Sequence, residues 1–190
     1  MKVLIACEES QAVTKQFRKL GHEAYSCDIL ECSGSHPEWH IQGDAGEIIN
    51  LYWDLIIAFP PCTYMSNAGA LRMYPEKGVV DKERYKKAMQ AKDFFMLFYN
   101  SNCKKIAIEN PVPLNLVELP VKTQIIHPYF FGDPFSKKTC LWLNGLPKLR
   151  PTNMLKEYQP FINGGGGRTN KNNYKNKKVP FANGSTKRSK

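Results

Sequence analysis

The chain has 190 residues, of which 42% are hydrophobic, and a formal net charge of +10. This length and composition suit one globular domain with a sizeable core. No apolar run approaches the roughly 18 residues of a membrane-spanning helix, and the run at residues 2–7 is too short for the apolar region of a signal peptide. We therefore expect a cytoplasmic protein and exclude an integral membrane protein.

The six cysteines are scattered through the chain without the closely spaced Cys or Cys/His pairs that ligate zinc. His36 and His40 lie four residues apart, but Pro37 between them argues against a shared helix face. We therefore expect reduced thiols and no metal site.

Residues 3–7 form a short apolar run that predicts a buried first strand. Residues 11–20 place Val13, Phe17 and Leu20 at helical spacing, and Gly21 follows as a natural stop. Residues 23–27 then predict a second strand that ends at Asp28. The order strand, helix, strand is the βαβ unit from which parallel sheets are built.

In the middle of the chain, irregular segments alternate with clearly predicted strands and helices. Residues 30–42 and the turn at 43–46 predict no regular structure, whereas residues 53–59 predict a buried strand. Residues 64–80 predict a long loop of the kind that often closes over a site. Asp81 can cap a helix that runs to about Asn100, with basic residues early and aromatic residues late.

Three further strands are predicted, at residues 105–108, 121–126 and 139–143, and the last two can form a hairpin around residues 131–134. Together these elements predict an α/β fold with a Rossmann-like sheet in a single domain over residues 1–150.

Residues 151–190 predict an irregular, basic tail. Eight basic residues between Arg168 and Lys190 supply +8 of the net charge, and no acidic residue follows Glu157. Residues 164–167 are four glycines, which predict a flexible linker. A basic arm on a near-neutral domain is typical of proteins that bind phosphate backbones, although a solvated tail without a partner is the alternative.

Two strands end in motifs that can carry chemistry. The run Pro60-Pro61-Cys62 follows the strand at 53–59, and Glu109-Asn110-Pro111 follows the strand at 105–108. Proline stops both ladder and helix, and the carboxyl ends of parallel strands are where ligands bind in open α/β sheets. We therefore expect a thiol and a carboxyl group to face one pocket.

Each group needs an activating environment. A free thiol with a pKa of about 8.5 is only a few per cent ionised near neutrality. Glu109 must be desolvated before its pKa rises far enough for it to donate a proton. No histidine lies in a hydrolase-like signature, so a Cys/His hydrolase is disfavoured.

These motifs resemble those of the cytosine-5 DNA methyltransferases. Pro60-Pro61-Cys62, with Ser66, Ala68 and Gly69 at matching offsets, is similar to the nucleophile loop of that family, and Glu109-Asn110 is similar to its Glu-Asn-Val signature. The resemblance covers roughly residues 1–145. It implies a methyltransferase sheet in which Cys62 attacks C6 of a cytosine while Glu109 acts on N3, and a compact enzyme of phage or bacterial type.

The resemblance also implies a cofactor and a partner. S-adenosylmethionine would be held at the strand ends, with Asp28 at the ribose hydroxyls and Asp44 at the adenine amino group. The whole implied cofactor set is Cys7, Glu8, Asp28, Ile29, Asp44, Ala45, Phe59 and Pro60. DNA would be contacted by Ser66, Asn110, Lys137, Lys138, Arg168, Lys171 and Lys175.

The sequence departs from the family in ways that keep other functions open. Ala6-Cys7-Glu8-Glu9-Ser10 stands where the family has a glycine-rich motif, Lys137 and Lys138 are the candidates for a missing arginine, and no large target-recognition domain is present. A catalytically inactive, methyltransferase-like protein that binds nucleic acid or regulates it is one alternative. An enzyme that modifies pyrimidines in free nucleotides or RNA is the other.

Overall fold

The computed structural model describes residues 1–160, and the predicted tail contacts Arg168, Lys171 and Lys175, like the glycine linker at 164–167, lie outside the described residues. The strands are β1 (Lys2–Ala6), β2 (Glu23–Asp28), β3 (His40–Gln42), β4 (Leu55–Ala58), β5 (Ile106–Pro111), β6 (Gln124–Ile126), β7 (Phe135–Ser136), β8 (Thr139–Asn144) and β9 (Gln159–Pro160). The α-helices are α1 (Ala12–Lys19), α2 (Ala45–Ile48), α3 (Ala70–Met73) and α4 (Lys82–Tyr99).

Seven of these strands form one sheet in the order β3-β2-β1-β4-β5-β8-β6. The pairs among the first five strands are parallel, whereas β8 runs antiparallel to both β5 and β6. The carboxyl ends of β1 to β5 therefore lie along one edge. This arrangement confirms the predicted α/β, Rossmann-like fold and the opening βαβ unit.

The core lies on both faces of the sheet, as expected for parallel strands. Helix α4 is capped by Asp81, whose carboxylate accepts from the backbone N–H of Arg84, and it buries Phe95 and Phe98 completely. Each such phenylalanine contributes about 2 kcal/mol through its burial. Phe95 also packs edge-on against Trp142 of β8. On the other face, α1 places Val13 and Phe17 against β1 and β4.

Short elements were missed by the sequence patterns. The segment predicted to be irregular contains β3, and the loop predicted at 64–80 contains α3 and a 3-10 turn at Asn67–Gly69. Elements of three or four residues are too short to show a periodicity and are fixed by their neighbours. Strands β6 and β8 do pair antiparallel, which confirms the predicted hairpin pairing.

The chain continues in regular structure past residue 150. Strand β9 pairs in parallel with β7, and the backbone N–H of Leu155 donates to the carbonyl of Tyr129. Within residues 1–160, no helix is long and apolar enough to span a membrane, and no three His, Cys, Asp or Glu side chains cluster as metal ligands would. His36 instead stacks on Trp39, and His40 hydrogen bonds to Ser26.

Candidate active site at the carboxyl edge of the sheet

The loop that carries Cys62 is bonded both to β5 and to the chain that follows it. Asn110 is completely buried, and its Nδ2 donates to the carbonyl of Pro60 at 2.9 Å. Farther along, the N–H of Asn67 donates to the carbonyl of Val112, and the N–H of Leu114 donates to that of Met65. The two motifs singled out in the sequence therefore meet at one edge of the sheet.

Cys62 itself begins a tight turn. Its carbonyl accepts from the N–H groups of Met65 at 3.1 Å and Ser66 at 2.9 Å, and its side chain is half-buried. Ser66 is 7% exposed and forms an isolated bridge with Pro113, so it also joins the two motifs. The Cys62 side chain therefore has a defined position relative to the end of β5.

Glu109 points to the face of the sheet opposite Asn110, as alternation along β5 requires. It lines a cavity of about 430 Å³ whose other walls are mainly aliphatic and include Phe59, Ile126 and Leu141. Burial raises the pKa of the Glu109 carboxyl group, and the positive charge of Lys137 partly opposes this shift. The environment thus favours the protonated acid that a proton donor requires.

The loop after β1 forms a second recess. Cys7, Glu8 and Phe59 line a cavity of about 250 Å³ together with Glu9, Ser10, Ala12 and Val13. The N–H groups of Cys7 and Glu8 both donate to the carbonyl of Cys27, and the N–H of Phe59 donates to that of Ala6. Three of the residues predicted to hold a cofactor therefore surround one cavity.

Cys7 takes up a backbone conformation that favours glycine. Its φ of 62° is in the left-handed region, where a side chain costs about 1–2 kcal/mol. The backbone bend at this strand end is thus present although no glycine stands there. Burial raises the pKa of the Cys7 thiol to about 12, and the carboxylates of Asp28 and Asp44 add to the effect. This thiol is neutral near neutral pH and unsuited to act as a nucleophile.

Glu8 is committed to the start of α1. Its carboxylate accepts from the N–H groups of Val13 and Thr14 and from the Thr14 hydroxyl, and the residue is buried. The carboxylate therefore satisfies donors at the helix N-terminus, where four N–H groups lack partners within the helix. Its predicted contact with a cofactor would have to come from the backbone.

The remaining predicted cofactor residues are spread along the same edge. Asp28 ends β2 and accepts from the N–H of Leu30, and Asp44 accepts from the N–H of Gly46 at the start of α2. Ile29 is 73% exposed, whereas Ala45 and Pro60 are buried. The two carboxylates and Ile29 are accessible to a ligand, and the two buried residues support the loops that carry them.

The predicted nucleic-acid contacts also include both exposed and buried residues. Lys137 and Lys138 are exposed just before β8, next to the strand end that carries Glu109. Asn110 does not reach the surface, so any effect of this residue on nucleic-acid binding would act through the Cys62 loop. Ser66 is nearly as buried.

Sequence reasoning missed two residues that shape these loops. Gln11 is completely buried and bonds to the backbone of His36 through both ends of its amide. Arg84 donates from Nη2 to the carbonyl of Thr63. Both contacts join residues 21 or more positions apart, and no local pattern in the sequence indicates them.

Comparison with known proteins adds a structural similarity. No protein-family model matches the sequence, and no curated protein sequence matches it. Among solved structures, the chain is similar to an Escherichia coli protein described as a "putative DNA modification methyltransferase encoded within prophage", with 16% identity and a TM-score of 0.42. The match covers 75% of this chain and 46% of that one, so this chain spans less than half of its length.

Proposed function

We propose that this protein is an S-adenosylmethionine-dependent methyltransferase that modifies C5 of cytosine in DNA. The observation that carries the proposal is the hydrogen bond from Asn110 to the carbonyl of Pro60, which joins the Cys62 loop to the strand end bearing Glu109. This bond fixes the Cys62 loop against β5, the strand that carries Glu109, and in the proposal the thiol and the acid act on the same ring. The resemblance in the two motifs supplies the reaction class.

The side chains divide the chemistry between them. The Cys62 thiolate adds to C6 of cytosine while Glu109 donates its proton to N3, which places electron density on C5. When bound, S-adenosylmethionine supplies the electrophilic methyl group that C5 takes up. A base then removes the C5 proton, the bond between Cys62 and C6 breaks, and Glu109 recovers the proton from N3. The raised pKa of Glu109 suits this exchange, because the acid must be protonated at the start.

The residues around the first loop fit a nucleoside cofactor. A cavity lined by Cys7, Glu8 and Phe59 lies at the same edge as the carboxylates of Asp28 and Asp44. Asp28 would hold the ribose hydroxyls and Asp44 the adenine amino group, with Ile29 exposed beside them. The positive φ of Cys7 supports a close approach of the cofactor to the backbone.

DNA as the partner is part of the proposal. C6 lies inside the duplex stack, so the target base must be flipped out at a cost of a few kcal/mol. Lys137 and Lys138 could contact phosphates, and we propose the same for Arg168, Lys171 and Lys175 of the 151–190 tail. Deletion of residues 167–190 should then flatten the salt dependence of DNA binding, and an unchanged slope would exclude the tail.

A methyl-transfer assay with labelled S-adenosylmethionine tests the proposal. Purified protein should label DNA at cytosine C5, and Cys62→Ala should lose this activity. RNA and free deoxycytidylate, assayed in parallel, separate DNA methylation from the other pyrimidine reactions. Labelling of either in place of DNA would change the substrate class.

One observation favours the inactive alternative. The carboxylate of Glu8 is occupied by α1, and the first loop has no glycine to widen it. A binding or regulatory protein would keep the fold and the DNA contacts without cofactor affinity. The melting temperature with and without S-adenosylmethionine separates the active enzyme from the inactive protein, because only the enzyme should be stabilised by the cofactor.

A further inference from the structure

Arg84 contacts the two residues that directly follow Cys62. It lies in the first turn of α4, and its Nη2 donates to the carbonyl of Thr63 at 2.8 Å. Its guanidinium group also lies over the ring of Tyr64, 5.0 Å from the centroid. One side chain thus bonds to the backbone of the loop and packs on its next side chain.

The loop leaves room for this guanidinium group. A Cβ at Gly69 would lie 2.7 Å from Nη2 of Arg84 and 3.4 Å from the carbonyl oxygen of Thr63. Gly69 has a φ of −92°, which any residue can adopt. The absence of a side chain at this position is therefore explained by the space that Arg84 needs and not by the backbone conformation.

The charge of Arg84 is not used in an ion pair. No carboxylate of the described residues lies within salt-bridge distance of it, and its Nε is buried without a hydrogen-bond partner. The guanidinium group is only partly buried, so its charge can be solvated without an acidic partner. Within residues 1–160, its only side-chain hydrogen bond is to the backbone carbonyl of Thr63.

We propose that Arg84 is a positioning residue that holds the Cys62 loop in the orientation required for attack on the base. This inference rests on the proposed function of Cys62. Loss of the Arg84 bond would leave the Thr63 carbonyl without this partner while Asn110 still holds Pro60. The Cys62 thiol, which lies between these residues, would then no longer have one fixed position. A displacement of about 1 Å at a reacting group can cost about 100-fold in rate.

Kinetics of Arg84→Met and Lys87→Met provide the first test. Lys87 lies over the same Tyr64 ring at 5.6 Å but makes no hydrogen bond to the loop, so it is the matched control for loss of a cation. We expect kcat for methyl transfer to fall about 10- to 100-fold in Arg84→Met, with KM for DNA changed less than about threefold. Lys87→Met should keep kcat within about threefold.

Conservative replacement separates positioning from folding. Arg84→Lys keeps the charge but lacks the planar guanidinium group, which can donate to the carbonyl of Thr63 and stack on the ring of Tyr64 at the same time. It should recover only part of the lost kcat. Full recovery in Arg84→Lys would show that charge alone matters and would overturn the positioning role.

Gly69→Ala gives an independent way to displace Arg84. It should lower kcat in the wild-type background, because the new methyl group occupies the place of the guanidinium group. In the Arg84→Met background the same change should have little further effect. Additive losses in the double variant would mean that Gly69 and Arg84 act separately.

The rate of Cys62 alkylation by iodoacetamide, followed on its peptide by mass spectrometry, does not depend on methyl transfer. Arg84→Met should change this rate and its pH profile at an unchanged melting temperature, whereas Lys87→Met should leave both close to wild type. Equal alkylation and equal kcat in Arg84→Met and wild type would overturn the inference. Failure of the proposed function would appear differently, as wild-type protein that does not methylate cytosine.

Discussion

The loops after β1 and β4 leave adjacent parallel strands at the same edge of the sheet, but they are held in different ways. The β4 loop is bonded to β5 by Asn110 and to α4 by Arg84. The β1 loop is held by the buried carboxylate of Glu8 and includes Cys7 in a left-handed conformation. This difference suits the proposed roles, because a nucleophile needs one fixed position whereas a loop that binds a cofactor needs a backbone that leaves space.

The largest effect is expected at Glu109. Glu109→Gln cannot donate a proton from a carboxyl group, so methyl transfer should fall about 100- to 10,000-fold. Steady-state assays on DNA would measure the loss. An activity close to wild type would remove Glu109 from the chemistry.

The raised pKa of Glu109 also predicts a pH dependence. Its folded pKa exceeds the unfolded value, so its contribution to stability is complete below the unfolded pKa and is lost as pH rises through the folded pKa. Activity should fall over the same window. Lys137→Gln should move this fall in activity to higher pH, because it removes the positive charge that lowers the pKa of Glu109. Lys138→Gln is the control, and equal shifts in both variants would contradict the assignment.

Asn110→Ala tests the bond between the two motifs. It leaves the Pro60 carbonyl without its partner and creates a space in the core, so the free energy of unfolding should fall by about 2–3 kcal/mol. Urea unfolding measures this change. Asn115→Ala, at an exposed position after β5, should cost less than about 0.5 kcal/mol. Similar losses in the two variants would mean that the loop is held by other contacts.

Glu8→Gln makes the corresponding test of the β1 loop. The amide replaces one acceptor oxygen with a donor that faces N–H groups, so we expect a loss of about 1–2 kcal/mol in unfolding free energy. Glu9→Gln, whose side chain makes no hydrogen bond within the described residues, should have almost no effect. If both variants kept wild-type stability, the carboxylate of Glu8 would be available for a ligand.

The smallest effect is expected for Cys7→Gly. Relief of the left-handed conformation should offset most of the lost burial, so the unfolding free energy should change by less than about 1 kcal/mol. Cys27→Gly, at a completely buried strand position, should cost about 2 kcal/mol or more. Equal losses at the two positions would show that the β1 loop carries no strain at Cys7.

Strong local signals explain how much the sequence could predict. Proline directly after β4 and at the end of β5, the Asp81 cap and the apolar runs located the main elements and placed both motifs at strand ends. Contacts between distant residues could not be predicted, because the capture of Glu8 by α1 and the bond from Arg84 to Thr63 depend on packing. Asn110 illustrates the limit, since the motif identified the residue but not the buried position in which it supports the Cys62 loop.

Covalent trapping on DNA that contains 5-fluorocytosine tests the central claim most directly, because fluorine at C5 prevents the proton loss that releases the thiol. Wild-type protein should form a stable adduct that mass spectrometry locates on the peptide containing Cys62, and Cys62→Ala should form none. An adduct that persists in Cys62→Ala, or methylation of cytosine in DNA without any adduct, would contradict the account.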